Sequence, residues 1–124
     1  MGSRNMTRPL IIIESPYAGK SQFWPRAFVQ RWLNRRYARA CMRHSILLGE
    51  APFASHLLYT QPGILRDHVA DERAAGIEIG LQWGESSMET VVYTDRGISR
   101  GMALGIERAK REGRLVSYRK LGHR

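Results

Sequence analysis

The chain has 124 residues, 43% of them hydrophobic, which suffices for one ordinary core and leaves little room for a second. Its 20 Lys and Arg against 11 Asp and Glu leave a formal charge of +9, so an anionic partner is expected. No apolar run approaches the roughly 20 residues that span a bilayer, and no long apolar segment of the secretory kind opens the chain, which excludes a membrane role and predicts a soluble, cytoplasmic protein. A single cysteine, Cys41, fits a reducing compartment and reads as a small core residue. Residues 1–5 precede a second methionine and read as a cloning remnant; residues 6–124 read as a single domain.

In chain order, residues 9–13 (Pro-Leu-Ile-Ile-Ile) form a continuous apolar run, as expected of a strand buried on both faces in a parallel sheet. The loop that follows carries Glu14, Ser15, Pro16 and Tyr17, with Gly19 as punctuation. Loops at the carboxyl end of a first strand commonly meet ligands. Glu14 and Ser15 are suited to hydrogen-bond sugar hydroxyls and Tyr17 to stack on a base; the plain alternative is a tight turn with Tyr17 packed on the core. Residues 20–25 read as an irregular connection, with Pro25 opening the helix.

Residues 28–48 carry the longest helical pattern, with Trp32, Leu33, Tyr37, Ala40, Cys41, His44, Leu47 and Leu48 expected to face the sheet and Gly49 to end it. His44 sits favourably beside the last carbonyls of that helix. The helix also holds Arg26, Arg31, Arg35, Arg36, Arg39 and Arg43, of which Arg31, Arg35 and Arg39 share a face, with Arg43 one step further. A solvated face explains these as well as a DNA-binding stripe does. No zinc-finger, basic-zipper, ribonucleoprotein or helix-turn-helix pattern accompanies them, which argues against nucleic acid and for a smaller anion bearing several phosphates.

A short strand from residue 51 leads into a loop bearing His56, on the same sheet edge as the first loop. Asp67 and Asp71 are alternative caps for a helix over residues 71–84. Its Gly76 and Gly80, four apart, permit close helix packing, and this helix is expected to meet its counterpart in a second subunit. Residues 90–93 (Thr-Val-Val-Tyr) read as a buried strand. They run through Asp95 and Gly97 into a helix over residues 99–112. Ser99 caps that helix, and Gly97 and Gly101 bring backbone amides close to whatever lies above its first turn, near Met102. Such a terminus cradles a phosphate or carboxylate; a strand-to-helix turn that merely needs glycine is an equal reading. A last strand over residues 114–118 precedes a basic tail expected to fray. Alternation of strand and helix predicts an α/β fold, a small Rossmann-like three-layer α/β/α sandwich with a mostly parallel sheet of four to five strands. No metal-ligand spacing is present, and no metal or cofactor is expected.

Four stretches, in this order, carry a resemblance: Ile13-Glu-Ser-Pro-Tyr17, Gly49-Glu-Ala-Pro-Phe-Ala-Ser-His56, Gly76-Ile-Glu-Ile-Gly-Leu81 and Val92-Tyr-Thr-Asp-Arg-Gly-Ile-Ser-Arg-Gly-Met102. Together they resemble the nucleoside 2-deoxyribosyltransferase-like group of small Rossmann-type domains, in particular its uncharacterised branch common in phages and actinobacteria. The resemblance implies a nucleoside or nucleotide pocket at the strand ends, often completed by a neighbouring subunit of a homodimer or homotetramer. It also implies a candidate role, since some phage proteins with this type of fold sequester cyclic ADP-ribose-like signals of bacterial immune systems in the host cytoplasm.

One departure separates the chain from the enzymes it resembles. They carry a nucleophilic glutamate on the last helix, four positions after a glycine and four before an alanine. Laying Gly101 and Ala109 onto that pattern puts Gly105 at the glutamate's place. Glu107 lies two positions on, about 200° around the helix, and faces away. No catalytic residue is therefore assigned. The resulting expectation is a non-catalytic nucleotide-binding protein, plausible as an anti-defence sponge, with Glu14, Ser15, Pro16, Tyr17, His56, Asp95, Gly97, Ser99, Gly101 and Met102 at the ligand. The alternatives are an N-glycosidase or deoxyribosyltransferase using Glu14 or Asp95, and a basic nucleic-acid-associated accessory protein.

Overall fold

The computed structural model describes residues 7–17 and 24–122. The expected remnant at residues 1–5, residues 20–23 of the expected irregular connection and the last two residues of the tail lie outside them; residues 24 and 25 of that connection belong instead to the first helix, which starts four residues before the expected 28. Among the described residues four strands and four helices follow one another, with two helices between β2 and β3: β1 (Leu10–Glu14), α1 (Trp24–Leu47), β2 (Ala51–Phe53), α2 (Ser55–Leu58), α3 (Ala70–Gly84), β3 (Glu89–Tyr93), α4 (Arg100–Arg111) and β4 (Leu115–Arg119). All strand pairs are parallel, in the order β2-β1-β3-β4. This is the expected Rossmann-like α/β fold. The chain leaves β1 toward β2 on one side and returns to β3 on the other, so the switch in strand order falls between β1 and β3, where such sheets open a crevice at their carboxyl edge.

The sheet separates two cores. On one face Ile11, Ile13, Val91 and Tyr93 pack with Cys41 of α1 and Ala54; on the other Val92 packs with Met102 and Ile106 of α4 and with Val116. Val91, Val92 and Tyr93 are all fully buried, as befits a strand paired on both edges and covered on both faces. Burial pushes the Cys41 thiol up to about 12, the behaviour of an inert core cysteine.

The face of α1 that meets the sheet is the expected one only in part: Cys41, Tyr37 and His44 reach the core side as expected. Trp32, Leu47 and Leu48 are more than half exposed, and the buried stripe is Ala27, Asn34, Ala38, Cys41 and Ser45. These residues recur at helical spacing but are small, and the small stripe lets the helix lie close to the strands. His44 also takes a different partner: its Nδ1 lies 2.9 Å from the Tyr93 hydroxyl. That hydroxyl accepts from Arg119 Nη1 at 3.0 Å, and Arg119 grips Glu50 with two bonds of 2.9 Å, while Ser45 donates to Glu50 at 2.6 Å. The bidentate pair ties the start of β2 to the end of β4 across the sheet.

Further corrections concern helix starts and the tail. Neither Asp67 nor Asp71 caps α3, whose N-cap is Val69; Asp67 instead pairs with Arg73 at 3.5 Å. Gly80 serves a contact within the chain, since a Cβ there would fall 3.0 Å from that of Ser55 in α2. His56, expected on a loop, lies in the short helix α2. The basic tail does not fray through residue 121. Asp95 Oδ1 accepts from the Tyr37 hydroxyl at 2.6 Å and from the Leu121 amide at 3.0 Å, and the Asp95 amide donates back to Tyr37. Burial pushes the Asp95 carboxyl up, but these donors outweigh it and hold the group below the usual range. Asp95 is thus a clamp joining α1, β3 and the C-terminal segment. Replacing it with Ala should lower stability by about 0.5–1.5 kcal/mol, the net worth of hydrogen bonds made by an exposed carboxylate whose donors can turn to water, which urea denaturation will measure.

Candidate functional site

A cavity of about 280 Å³ opens at the carboxyl edge of the sheet, bounded by the ends of β1 and β2, by α2 and α3, and by the first turn of α4. Its position is the switch point of the sheet. Of the ten residues expected at a ligand, Glu14, Ser15, Tyr17, His56, Ser99, Gly101 and Met102 line this cavity. Pro16, Asp95 and Gly97 do not. Pro16 is buried beside the wall. Asp95 has its acceptors occupied by Tyr37 and Leu121. Gly97 has φ +84° and donates to Thr94 O at 2.9 Å, so its freedom serves the turn before α4.

The mouth of α4 is built as expected. Ser99 Oγ accepts from the Met102 amide at 3.3 Å, and Met102 sulfur in turn receives the Ser99 amide. A Cβ added at Gly101 would meet nothing within 4 Å, so the backbone of this first turn stands open to the cavity. Arg100 lines the same end, adding positive charge to the helix terminus. The opposite walls are mostly apolar, from Ile12, Phe53, Tyr59, Leu65, Ile77 and Leu81, but they also carry Asp67, Glu72 and Arg73, ion-paired as Asp67 with Arg73 and Glu72 with Arg66. Sequence reasoning missed these walls because their residues come from segments that read separately as strand, loop and helix.

Glu14 is the central group. It ends β1 on the face covered by α4, and its carboxyl lies against Gly105. A Cβ built at Gly105 would overlap the Glu14 Oε2 atom and lie 2.7 Å from its Cδ. Any larger residue at 105 would evict the carboxyl. The sequence did offer a sign of this contact: an interior helix glycine costs about 1 kcal/mol relative to alanine, and such a residue marks a close approach. Among the described residues no hydrogen-bond donor is recorded for the Glu14 carboxyl. Burial pushes it up to about 8, opposed by the charge of Arg114, so at neutral pH it is mostly the neutral acid.

His56 and Ser15 lie beside it. His56 Nε2 is 2.9 Å from Ser15 Oγ, and Ser15 is buried. Burial pushes His56 down to about 4, which keeps the imidazole neutral. Tyr17 meets His56 edge-on at 5.9 Å, and Arg35 donates to the Tyr17 hydroxyl at 3.3 Å. Among the described residues no carboxylate hydrogen-bonds His56, so the serine–histidine pair lacks the orienting acid of a hydrolytic triad. Among them, too, no group of three or more His, Cys, Asp or Glu is placed to hold a metal ion. Beside the sheet, Glu14, Ser15 and His56 form a set of uncharged hydrogen-bonding groups; the start of α4 is positive, and the far wall carries the ion-paired Asp67, Glu72 and Arg73.

The Glu14–Gly105 contact makes two predictions. In a Glu14→Ala background, Gly105→Ala should stabilise the fold by about 0.5–1 kcal/mol through helix propensity, whereas in the wild type it should be neutral or destabilising. Urea melts of the four proteins measure the difference. Second, Glu14 titrates near 4.5 when unfolded and near 8 when folded, so between those values the folded chain holds more protons and its stability falls as the pH rises. His56 acts oppositely and only in the acid range, because its pKa is lowered. From about pH 5 to 8 the wild type should lose stability relative to Glu14→Gln, with little further change above that, read from melting temperatures across the range.

No helix among the described residues is long and apolar enough to cross a membrane. No curated protein and no solved structure matches the chain. A family model does match, over residues 9–119, spanning the whole sheet and every residue that lines the cavity. The chain belongs to the family defined by the domain of unknown function DUF7768.

Proposed function

We propose that the chain binds a nucleotide-derived small molecule in this cavity and does not turn it over. The observation that carries the reading is the pairing, in one cavity, of an open helix N-terminus at one end with apolar and aromatic walls and neutral hydrogen-bonding groups at the other. Phosphate oxygens belong at Ser99, Arg100 and Gly101, where backbone amides and a guanidinium favour an anion. A base belongs against Phe53, Tyr59 and Tyr17, and sugar hydroxyls at Glu14 and Ser15. Resemblance to the nucleoside 2-deoxyribosyltransferase-like group supports the same ligand class.

The case against turnover rests on chemistry. Gly105 supplies no nucleophile, and a neutral Glu14 is a poor one, since attack on an anomeric carbon requires the carboxylate. Sequestration of a cyclic ADP-ribose-like signal, as by a phage anti-defence sponge in its host's cytoplasm, is the specific biological form of the proposal. A homo-oligomer goes with it: Ile77 and Leu104 line the cavity yet stay almost half exposed, and a second copy of the chain would cover them. A second reading, N-glycosidase or transferase chemistry, is favoured by one observation. Glu14 reaches from the sheet into the space that Gly105 leaves open, which would place a carboxyl at the reacting sugar.

One experiment separates these. Purified protein is incubated with nucleosides, nucleotides and cyclic ADP-ribose isomers, desalted, heat-denatured and its released compounds identified by mass spectrometry. The expected result is an intact nucleotide in near-equal amount to protein. A freed base would overturn the non-catalytic reading in favour of Glu14 chemistry, and no retained compound would remove the nucleotide pocket altogether. Gly101→Trp should fold normally, because its Cβ meets no neighbour, but lose retention about tenfold or more by filling the mouth of α4.

A further inference from the structure

The exposed side of α1 carries a feature that the cavity does not use. Trp32, Arg36, Arg39 and Arg43 are all exposed and follow one another at steps of four, three and four residues, a single stripe along the helix. Arg31 and Arg35 flank it, half-buried. The 24 residues of α1 contain no Asp or Glu. Among the described residues every salt bridge lies elsewhere, on Arg66, Arg73, Arg108, Arg114 and Arg119. Arg31, Arg35, Arg39 and Arg43 stand at successive i, i+4 positions, an arrangement of like charges that destabilises a helix. A surface needed only for solubility mixes signs, as α3 and α4 do.

Two details narrow the partner. The Arg36 guanidinium lies 5.6 Å from the Trp32 ring centroid, so charge and aromatic surface come together. Beside Arg39 and Arg43 lies a second, shallow and open depression, whose other walls are Met42, Ile46, Leu47 and Leu57. It offers a flat apolar group somewhere to sit, with guanidinium groups at its edge. The stripe from Trp32 to Arg43 is about 16 Å long, the length of four or five stacked nucleotides at about 3.4 Å each.

We propose that the solvent face of α1, from Trp32 to Arg43 with the adjoining apolar depression, binds single-stranded nucleic acid. The arginines take successive phosphates, and Trp32 and the depression take base faces. Binding of this kind is tolerant of sequence, as aromatic platforms in basic grooves generally are. It is independent of the nucleotide cavity, which lies among β1, β2, α2, α3 and α4 and includes no α1 residue.

Fluorescence anisotropy with labelled oligothymidylate and oligouridylate tests it. Saturable binding is expected, weakening roughly 20-fold between about 50 and about 200 mM salt if three phosphates are neutralised on a single strand. The triple variant R36A/R39A/R43A should lose at least about tenfold in affinity and most of the salt slope, while R36K/R39K/R43K keeps the slope. Circular dichroism should find all variants folded, because the changed side chains are exposed. Removing the same charge elsewhere, in K110A/R111A/K120A, should cost little. The proposal is overturned if neither oligonucleotide binds saturably, if the distant triple costs as much as the stripe, if duplex DNA binds more tightly than either single strand, or if only phosphatidylserine vesicles retain the protein.

Discussion

The contact between Glu14 and Gly105 governs the architecture of the candidate site. Strand order β2-β1-β3-β4 sets β1 beside β3, so the helix that follows β3 returns over the end of β1. The last residue of β1 then points at the middle of α4. A glycine there sacrifices about 1 kcal/mol of helix propensity and leaves space for a carboxyl. The carboxyl in turn is half-buried against that helix, and its burial, opposed by the charge of Arg114, pushes its pKa up. Strand order, helix glycine and a neutral acid at the cavity floor are successive links of one argument.

The fates of the two carboxylates offered by the sequence follow from their donors. Asp95 meets a phenol and backbone amides and remains ionised. Glu14 meets a helix backbone and apolar surface and keeps its proton near neutrality. The difference decides their roles: a satisfied anion fastens the C-terminal segment, and a neutral acid on the cavity lining is left to face a ligand. His56, neutral for the same reason of burial, extends the uncharged end of the cavity away from the charged start of α4.

Much of the fold was legible because continuous apolar runs and helical periodicity are local signals. Residues 9–13 and 90–93 each fell within a residue or two of a strand, the short strand expected to start at residue 51 does so, and Ser99 proved to be the cap of α4. The stretches at Glu14 to Tyr17, His56 and Ser99 to Met102 also converge, because consecutive βα loops of a parallel sheet emerge on one edge. What was not legible depended on contacts between distant segments. Asp95 looked like a site residue until Tyr37, 58 positions earlier, and Leu121 occupied it. The inward face of α1 was read correctly at Cys41 but misread at its large residues, whereas the small Ala38 and Ser45 are fully buried beside it and Trp32, Leu47 and Leu48 are exposed. Gly105 was read only as a missing nucleophile, when its lack of a side chain is what admits Glu14.

The most direct test of this account is a carbon-13 NMR titration of the Glu14 side-chain carboxyl in the free protein, assigned by comparison with Glu14→Gln. A midpoint near pH 8 is predicted, with the signal that of the neutral acid throughout the range below neutrality. A midpoint near the ordinary value of 4.5 would mean that the carboxyl is solvated and charged. The neutral cavity floor, and the argument against a nucleophilic Glu14, would then both fail.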